Sequence, residues 1–165
     1  DSANATAHYL YAEACKGQGD DVNTIAMATK AISLDSKQGN AYLLRGETYL
    51  HTQQLTEAEA DVAWLLEHTE DNEDVLLLKA RIERAATRNN EAIEYFTKAI
   101  DANPFSYTAF KERSEMYSLV GNEAKAKEDA ERAEELMPTD GKENVEENIE
   151  KQLNDKYKQM NPYGF

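Results

Sequence analysis

Three histidines and one cysteine are the side chains of this sequence best suited to metal binding or nucleophilic chemistry. His51 and His68 lack the H-E-x-x-H or C-x-x-C spacing that turns zinc ligands toward one point. His8 falls among the bulky members of a packing ladder set out below, which predicts a core position. Cys15 shares a second ladder with Tyr49 and Tyr117, so it is expected to be a buried, inert thiol. As the one cysteine it has no internal disulfide partner. The acidic run "TEDNED" lacks the glycine and the closing glutamate of a calcium loop. No glycine-rich phosphate loop, nucleophile elbow or carboxylate pair in a plausible cleft occurs. These residue types predict no enzyme, no cofactor and no metal.

Charge is arranged with more order. Arg45, Lys79 and Arg113 recur at a constant interval among apolar positions, and a cation there needs a partner. Asp61 and Asp129 follow Arg45 and Arg113 by the same step, while Tyr95 holds the equivalent place after Lys79. The spacing predicts two ion pairs, Arg45 with Asp61 and Arg113 with Asp129, each joining two helices of one unit.

The elements that must position these groups are helices. Of 165 residues only 7 are Gly and 3 Pro, too few for a fold stitched by tight turns, and good helix formers dominate. A chain of this length can bury roughly two thirds of its unfolded surface in a single domain. The net charge of −14 repels phosphate backbones and anionic lipid surfaces, which argues against nucleic acid and membrane partners. No apolar run approaches the ~20 residues that span a bilayer. The sequence opens at Asp1 with no basic and apolar leader after it, as expected of a processed or trimmed product. A soluble compartment is expected, either the cytoplasm or an exported location reached after loss of a leader.

Offsetting the sequence by 34 residues aligns several ladders at once. One is small: Ala12, Gly46, Ala80 and Ser114. One is bulky: His8, Tyr42, Leu76 and Phe110. Two more read Thr24, Ala58, Ala92, Ala126 and Ala31, Leu65, Ala99, Ala133. Self-similarity at this period marks a solenoid, and it excludes a coiled-coil seam, which repeats every ~3.5 residues. Each unit carries two helical patterns separated by turn formers: "GQGDD", "TQQLT", "ATRNN" and "LVGNE". Asn103-Pro104 and Met137-Pro138 end the second helices of units three and four. Gly46 is expected where the backbone of the partner helix leaves no room for a side chain.

These ladders resemble the tetratricopeptide repeat family. The unit beginning "YTAFKERSEMYSLVGNEAKAKEDAERAEELMP" carries the most landmarks, with Phe110, Ser114, Tyr117, Gly121, Ala126, Ala133 and Pro138. The sequence departs from the pattern at Glu83, where a tyrosine is expected, at Ser36 and Glu70, where proline is, and at Cys15. The resemblance implies an all-α, right-handed superhelical solenoid of antiparallel helix hairpins, forming one domain over 1–165. Its repeats are 5–38, 39–72, 73–106 and 107–140. Residues 141–160 carry a stripe of Val145, Ile149, Leu153 and Tyr157 without the small-residue ladder. They are expected to form a helix capping the last hairpin, followed by a short apolar tail over 161–165.

The resemblance also implies a function: a protein-interaction scaffold whose first helices line a concave groove holding a peptide or helix. The positions opposite the buried ladders are Tyr9, Glu13, Leu43, Glu47, Leu50, Leu77, Arg81, Arg84, Lys111 and Glu115. They read as an apolar strip leading into a basic end. Packing between neighbouring first helices would account for the same leucines. Chaperone-binding members of the family hold a C-terminal carboxylate with Lys, Asn and Arg. The matching positions here are Tyr9, Glu13, Leu44, Asp74 and Leu78, or one unit on Leu43, Glu47, Leu78, Thr108 and Glu112. The clamp is missing in both registers, which disfavours heat-shock chaperone tails. RNA-reading relatives are usually basic, unlike this chain. Two other readings fit the sequence: a structural self-association module using the tail "QMNPYGF", or a regulatory segment trimmed from a larger protein.

Overall fold

A computed structural model describes residues 2–70 and 72–137. These form eight helices and no strand: α1 (Ser2–Gly17), α2 (Asp21–Leu34), α3 (Gly39–His51), α4 (Leu55–His68), α5 (Glu73–Ala85), α6 (Asn89–Ala102), α7 (Tyr107–Leu119) and α8 (Glu123–Leu136). The helices pair in chain order as hairpins. Each hairpin stacks its second helix on the first helix of the next, through α2 with α3, α4 with α5 and α6 with α7. The result is an all-α solenoid. The expected cap over 141–160, the tail over 161–165 and the stop at Pro138 lie outside the described residues.

The hairpin turns share one construction. The N–H groups of Asp20, Gln54, Arg88 and Asn122 donate to the carbonyls of Cys15, Tyr49, Glu83 and Tyr117. Those of Gly19, Gln53, Thr87 and Gly121 donate to Lys16, Leu50, Arg84 and Ser118. This is the Schellman closure of a helix, and it forces the residue after the C-cap into left-handed backbone. The φ values there are 74°, 61°, 59° and 77°. Glycine suits two of these positions, while Gln53 and Thr87 hold the same geometry at a steric cost. The second helices α2, α4 and α6 end in extended backbone at Asp35, Thr69 and Asn103. Of these three only Asn103 precedes a proline, so Ser36 and Glu70 do not weaken the break.

Small residues sit where the helices of a hairpin touch. Ala12, Ala80, Ala58, Ala92, Ala31 and Ala99 are wholly buried. Hydroxyls on these ladders bond the neighbouring backbone: Thr24 Oγ1 donates to the Ala12 carbonyl at 3.4 Å, and Ser114 Oγ donates to that of Ala126 at 2.8 Å. Gly46 is crowded, but by a different neighbour from the one expected. A Cβ there would lie 3.1 Å from Leu78 Cδ2 and 3.3 Å from Asp61 Cβ, with the Ala58 carbonyl oxygen further off at 4.0 Å. The side chain of the next hairpin's first helix sets the limit, rather than partner backbone. Cys15 is buried as expected, whereas His8 is half-buried, at the start of the stack rather than in its core.

The apolar core concentrates in the middle of the stack. Leu76, Leu77, Phe96 and Met116 join α5, α6 and α7, and Val62, Leu65, Val75, Leu78 and Ile82 join α4 to α5. The charged ladder runs through it. Arg45 donates through Nε and Nη2 to the two Asp61 oxygens at 2.8 and 2.6 Å, and through Nη1 to Thr29 Oγ1 at 3.0 Å. Arg113 repeats this with Asp129 at 2.7 and 2.8 Å and Thr97 at 3.0 Å. Each arginine therefore ties its own hairpin to the preceding one, and the hydrogen bond to Asp61 holds the Arg45 guanidinium firmly charged. Unit three solves the same problem differently. Lys79 pairs with Glu83 one turn along its helix and lies 5.7 Å from the centre of the Tyr95 ring. Glu83, at the tyrosine position, is buried and also pairs with Arg88.

Candidate partner-binding groove

The first helices α1, α3, α5 and α7 follow one another along one side of the stack, with α1 touching α3 and α3 touching α5. Their polar residues are linked by a spacing that the repeat period conceals. Lys16 Nζ meets Glu47 Oε2 at 2.6 Å. Arg81 Nε donates to both Glu112 oxygens at 3.0 Å. Arg84 Nη1 lies 3.4 Å from Glu112 and 3.5 Å from Glu115. Lys16–Glu47, Arg81–Glu112 and Arg84–Glu115 each join residues 31 apart in sequence. That is one repeat less about a helical turn, so partners on successive first helices share one face. Lys16 and Glu112 are paired residues of this face that periodic reading missed, and this spacing is the signal that would have found them.

The remaining positions fall into distinct places. Tyr9 donates its O–H to Glu13 Oε1 at 2.6 Å. Burial first, and then the bond to Glu13 and its charge, push the Tyr9 phenol up to about 12. Leu43 and Leu50 are half-buried against the cluster containing Val62 and Leu78. Leu77 is buried in the core between α5, α6 and α7, so it does not belong to an open strip. Leu78 is just as buried, packed with Val62 and Ile82, and only backs a hollow on the groove side. A hollow of about 270 Å³ is lined by Lys16, Glu47, Leu50, His51, Leu78 and Arg81. A second, of about 260 Å³, is lined by Arg84, Tyr107, Thr108, Lys111, Glu112 and Glu115. The basic end is not a bare cation cluster: Arg81 and Arg84 are already met by carboxylates of α7. The hydrogen bond from Arg81 to Glu112, with the nearby charges of Glu47 and Asp74, stabilises the charged guanidinium further. Lys111 lies over the Tyr107 ring at 5.7 Å.

Residues 73–106, which form the third hairpin, match the tetratricopeptide repeat family. The fold is that of a tetratricopeptide-repeat solenoid. The family match falls on the unit containing Glu83, rather than on the fourth unit with its fuller set of landmark residues. No curated protein matches the sequence. Solved structures do match in fold. MamA 41-end from Desulfovibrio magneticus RS-1 is 17% identical with a TM-score of 0.74, covering 80% of this chain and 75% of that one. TTC0263, a thermophilic tetratricopeptide repeat protein of Thermus thermophilus, is 16% identical with a TM-score of 0.72, covering 82% and 75%. The first such domain of Spaghetti (RPAP3), bound to the HSP90 peptide SRMEEVD, is 16% identical with a TM-score of 0.70, covering 73% and 96%. At these identities the likeness is one of fold.

Among the described residues no group of three or more His, Cys, Asp or Glu side chains could hold a metal ion. No helix among them is long and apolar enough to cross a membrane.

Proposed function

We propose that the chain is a protein-interaction scaffold whose first-helix face binds a helix or extended segment of a partner protein. The observation that carries this reading is the pair of hollows between successive first helices. One mixes Leu50 and Leu78 with Lys16, Glu47 and Arg81, and the other mixes Tyr107 and Thr108 with Arg84, Lys111 and Glu115. A ligand with two apolar anchors would take most of its affinity from half-buried Leu50 and Tyr107. Charge would fix its direction and register. The neighbour that holds SRMEEVD supports peptide binding as something this fold does. A carboxylate clamp is not expected here, since Tyr9, Glu13, Leu44, Asp74 and Leu78 stand at the positions that would supply it.

The internal ion pairs sharpen the expected ligand. An acidic segment reaching Arg81 and Arg84 must displace Glu112 and Glu115, so the groove discriminates by exchange of carboxylates rather than by bare positive charge. With a captured native partner, Leu50→Lys is expected to weaken binding at least tenfold with the helical signal unchanged. Glu115→Gln is expected to tighten binding of an acidic partner several-fold by removing one of the two carboxylates that meet Arg84, and high salt should erase that gain. Binding that ignores both substitutions would place the partner elsewhere and remove this reading.

A further inference from the structure

The two ends of the stack are built differently. In every later first helix, the equivalents of Ala7 are buried against the preceding hairpin: Ala41, Val75 and Ala109. The equivalents of Tyr11 are Arg45, Lys79 and Arg113, and the two arginines reach back to Thr29 and Thr97 of the preceding second helix. The equivalents of Leu10 are half-buried Leu44, buried Leu78 and half-buried Glu112, which reaches Arg81 of the preceding first helix, and those of Ala14 are Thr48, Ile82 and Met116, all buried. On α1 these same positions are open. Ala7 and Ala14 are exposed, and Leu10 and Tyr11 are each 57% exposed. The four residues are spaced i, i+3, i+4 and i+7, so they form one continuous uncharged stripe on the helix. The outer side of α1 is therefore a seat for a second helix, at the positions that fill such seats further along.

The opposite end is charged. On α6, Ile93, Phe96 and Ile100 pack toward the core that reaches α7. The equivalents on α8 are Lys127, Ala130 and Glu134, all exposed. The hollow on this end, about 390 Å³, is lined by Phe110 and otherwise by charged residues, Arg113, Glu128, Asp129, Glu131, Arg132 and Glu135. α8 thus presents the polar outer face that a terminal element of a solenoid needs. An apolar stripe of Val145, Ile149, Leu153 and Tyr157 follows it in sequence. Laid on α8, that stripe would take Glu134 and the exposed Lys127–Glu131 pair out of water without adding partners, which is costly. Laid on α1, it would meet apolar side chains. The chain carries an amphipathic segment next to a charged end, and at the other end an apolar seat that the described residues leave uncovered.

We propose that residues 141–160 of one copy dock as a helix on the outer side of α1 in a second copy, joining copies head to tail. The stripe would cover Ala7, Leu10, Tyr11 and Ala14. Such a contact is heterologous, so it propagates into rings or filaments instead of stopping at a symmetric dimer.

The test uses the full chain and two variants. Light scattering of the parent across a concentration series should show mass rising beyond one chain. Leu10→Asp with Tyr11→Asp removes the seat, and Ile149→Asp with Leu153→Asp removes the stripe. Each variant should be monomeric, with the parent's helical signal. Each still holds the half that the other lacks. Mixed together they should therefore form a one-to-one heterodimer that stops growing, because only one seat and one stripe are intact. A parent that is monomeric at every concentration overturns the proposal, as it would if the stripe folded back on its own chain. So does association that survives either variant, or a mixture that stays monomeric. None of these results depends on the first-helix groove.

Discussion

At the scale of the residue, Gly46 and Glu83 show how one position answers to several helices. Gly46 meets Leu78 of the next hairpin and Asp61 of its own. Gly46→Ala would bring a methyl against the end of a leucine that can yield by a few tenths of an ångström. The alanine gains about 1 kcal/mol of helix propensity in return, so near-neutral stability is expected in a thermal melt. Gly46→Leu has no such room and should lose about 1–3 kcal/mol. Glu83 makes a prediction in pH. Burial alone would push its carboxyl up, but hydrogen bonds and charges from Arg88 and Lys79 outweigh it and hold it below the usual 4.5. A depressed folded pKa contributes stability above the unfolded value and loses it as pH falls through the folded one. Glu83→Gln should therefore be less stable than the parent near neutrality. The gap should narrow in denaturant titrations taken below pH 4.5. A gap independent of pH would show that Glu83 acts through packing.

At the scale of the element, the turn between α5 and α6 is the weak copy of a repeated device. All four hairpins close through a left-handed residue, and Thr87 fills it with a β-branched side chain at φ 59°. Left-handed backbone costs a non-glycine residue roughly 1–2 kcal/mol. The Thr87 side chain is exposed, and its hydroxyl donates to the adjacent Ala86 carbonyl. Thr87→Gly should raise stability by about 1 kcal/mol, after part of the relief is given back as glycine's unfolded-state entropy. A melting temperature unchanged or lowered would mean that the turn's strain is already relieved elsewhere.

At the scale of the molecule, burial is uneven along the stack. α5 buries Val75, Leu76, Leu77, Leu78, Ala80, Ile82 and Glu83, whereas α7 buries only Ala109 and Met116, and α1 buries Ala5, Ala12 and Cys15. In a solenoid each unit leans on its neighbours, so stability follows local burial and interface. Amide exchange should be slowest in α5 and α6 and faster toward α1 and α8. Uniform protection across all eight helices would instead show that the described residues unfold as one unit.

The repeat period alone determined much of this protein. A helix hairpin must place small residues where its helices touch, so the ladders of Ala12, Ala58 and Ala99 were legible in the sequence alone. The Arg45–Asp61 and Arg113–Asp129 pairs were legible too, because both partners recur in one unit at one step. What the period could not show is which neighbour covers a residue. Leu77 and Leu78 are adjacent in sequence and both buried, yet Leu77 packs with α6 and α7 while Leu78 packs with α4 and backs a hollow on the groove side. The choice depends on how α4, α6 and α7 sit around α5. Arg81 and Arg84 read as a free basic end because their partners, Glu112 and Glu115, lie one repeat on, outside the unit that periodicity examines. The open seat on α1 has the same origin. Its residues are ordinary for a first helix, and only the stacked structure shows that the described chain leaves them uncovered.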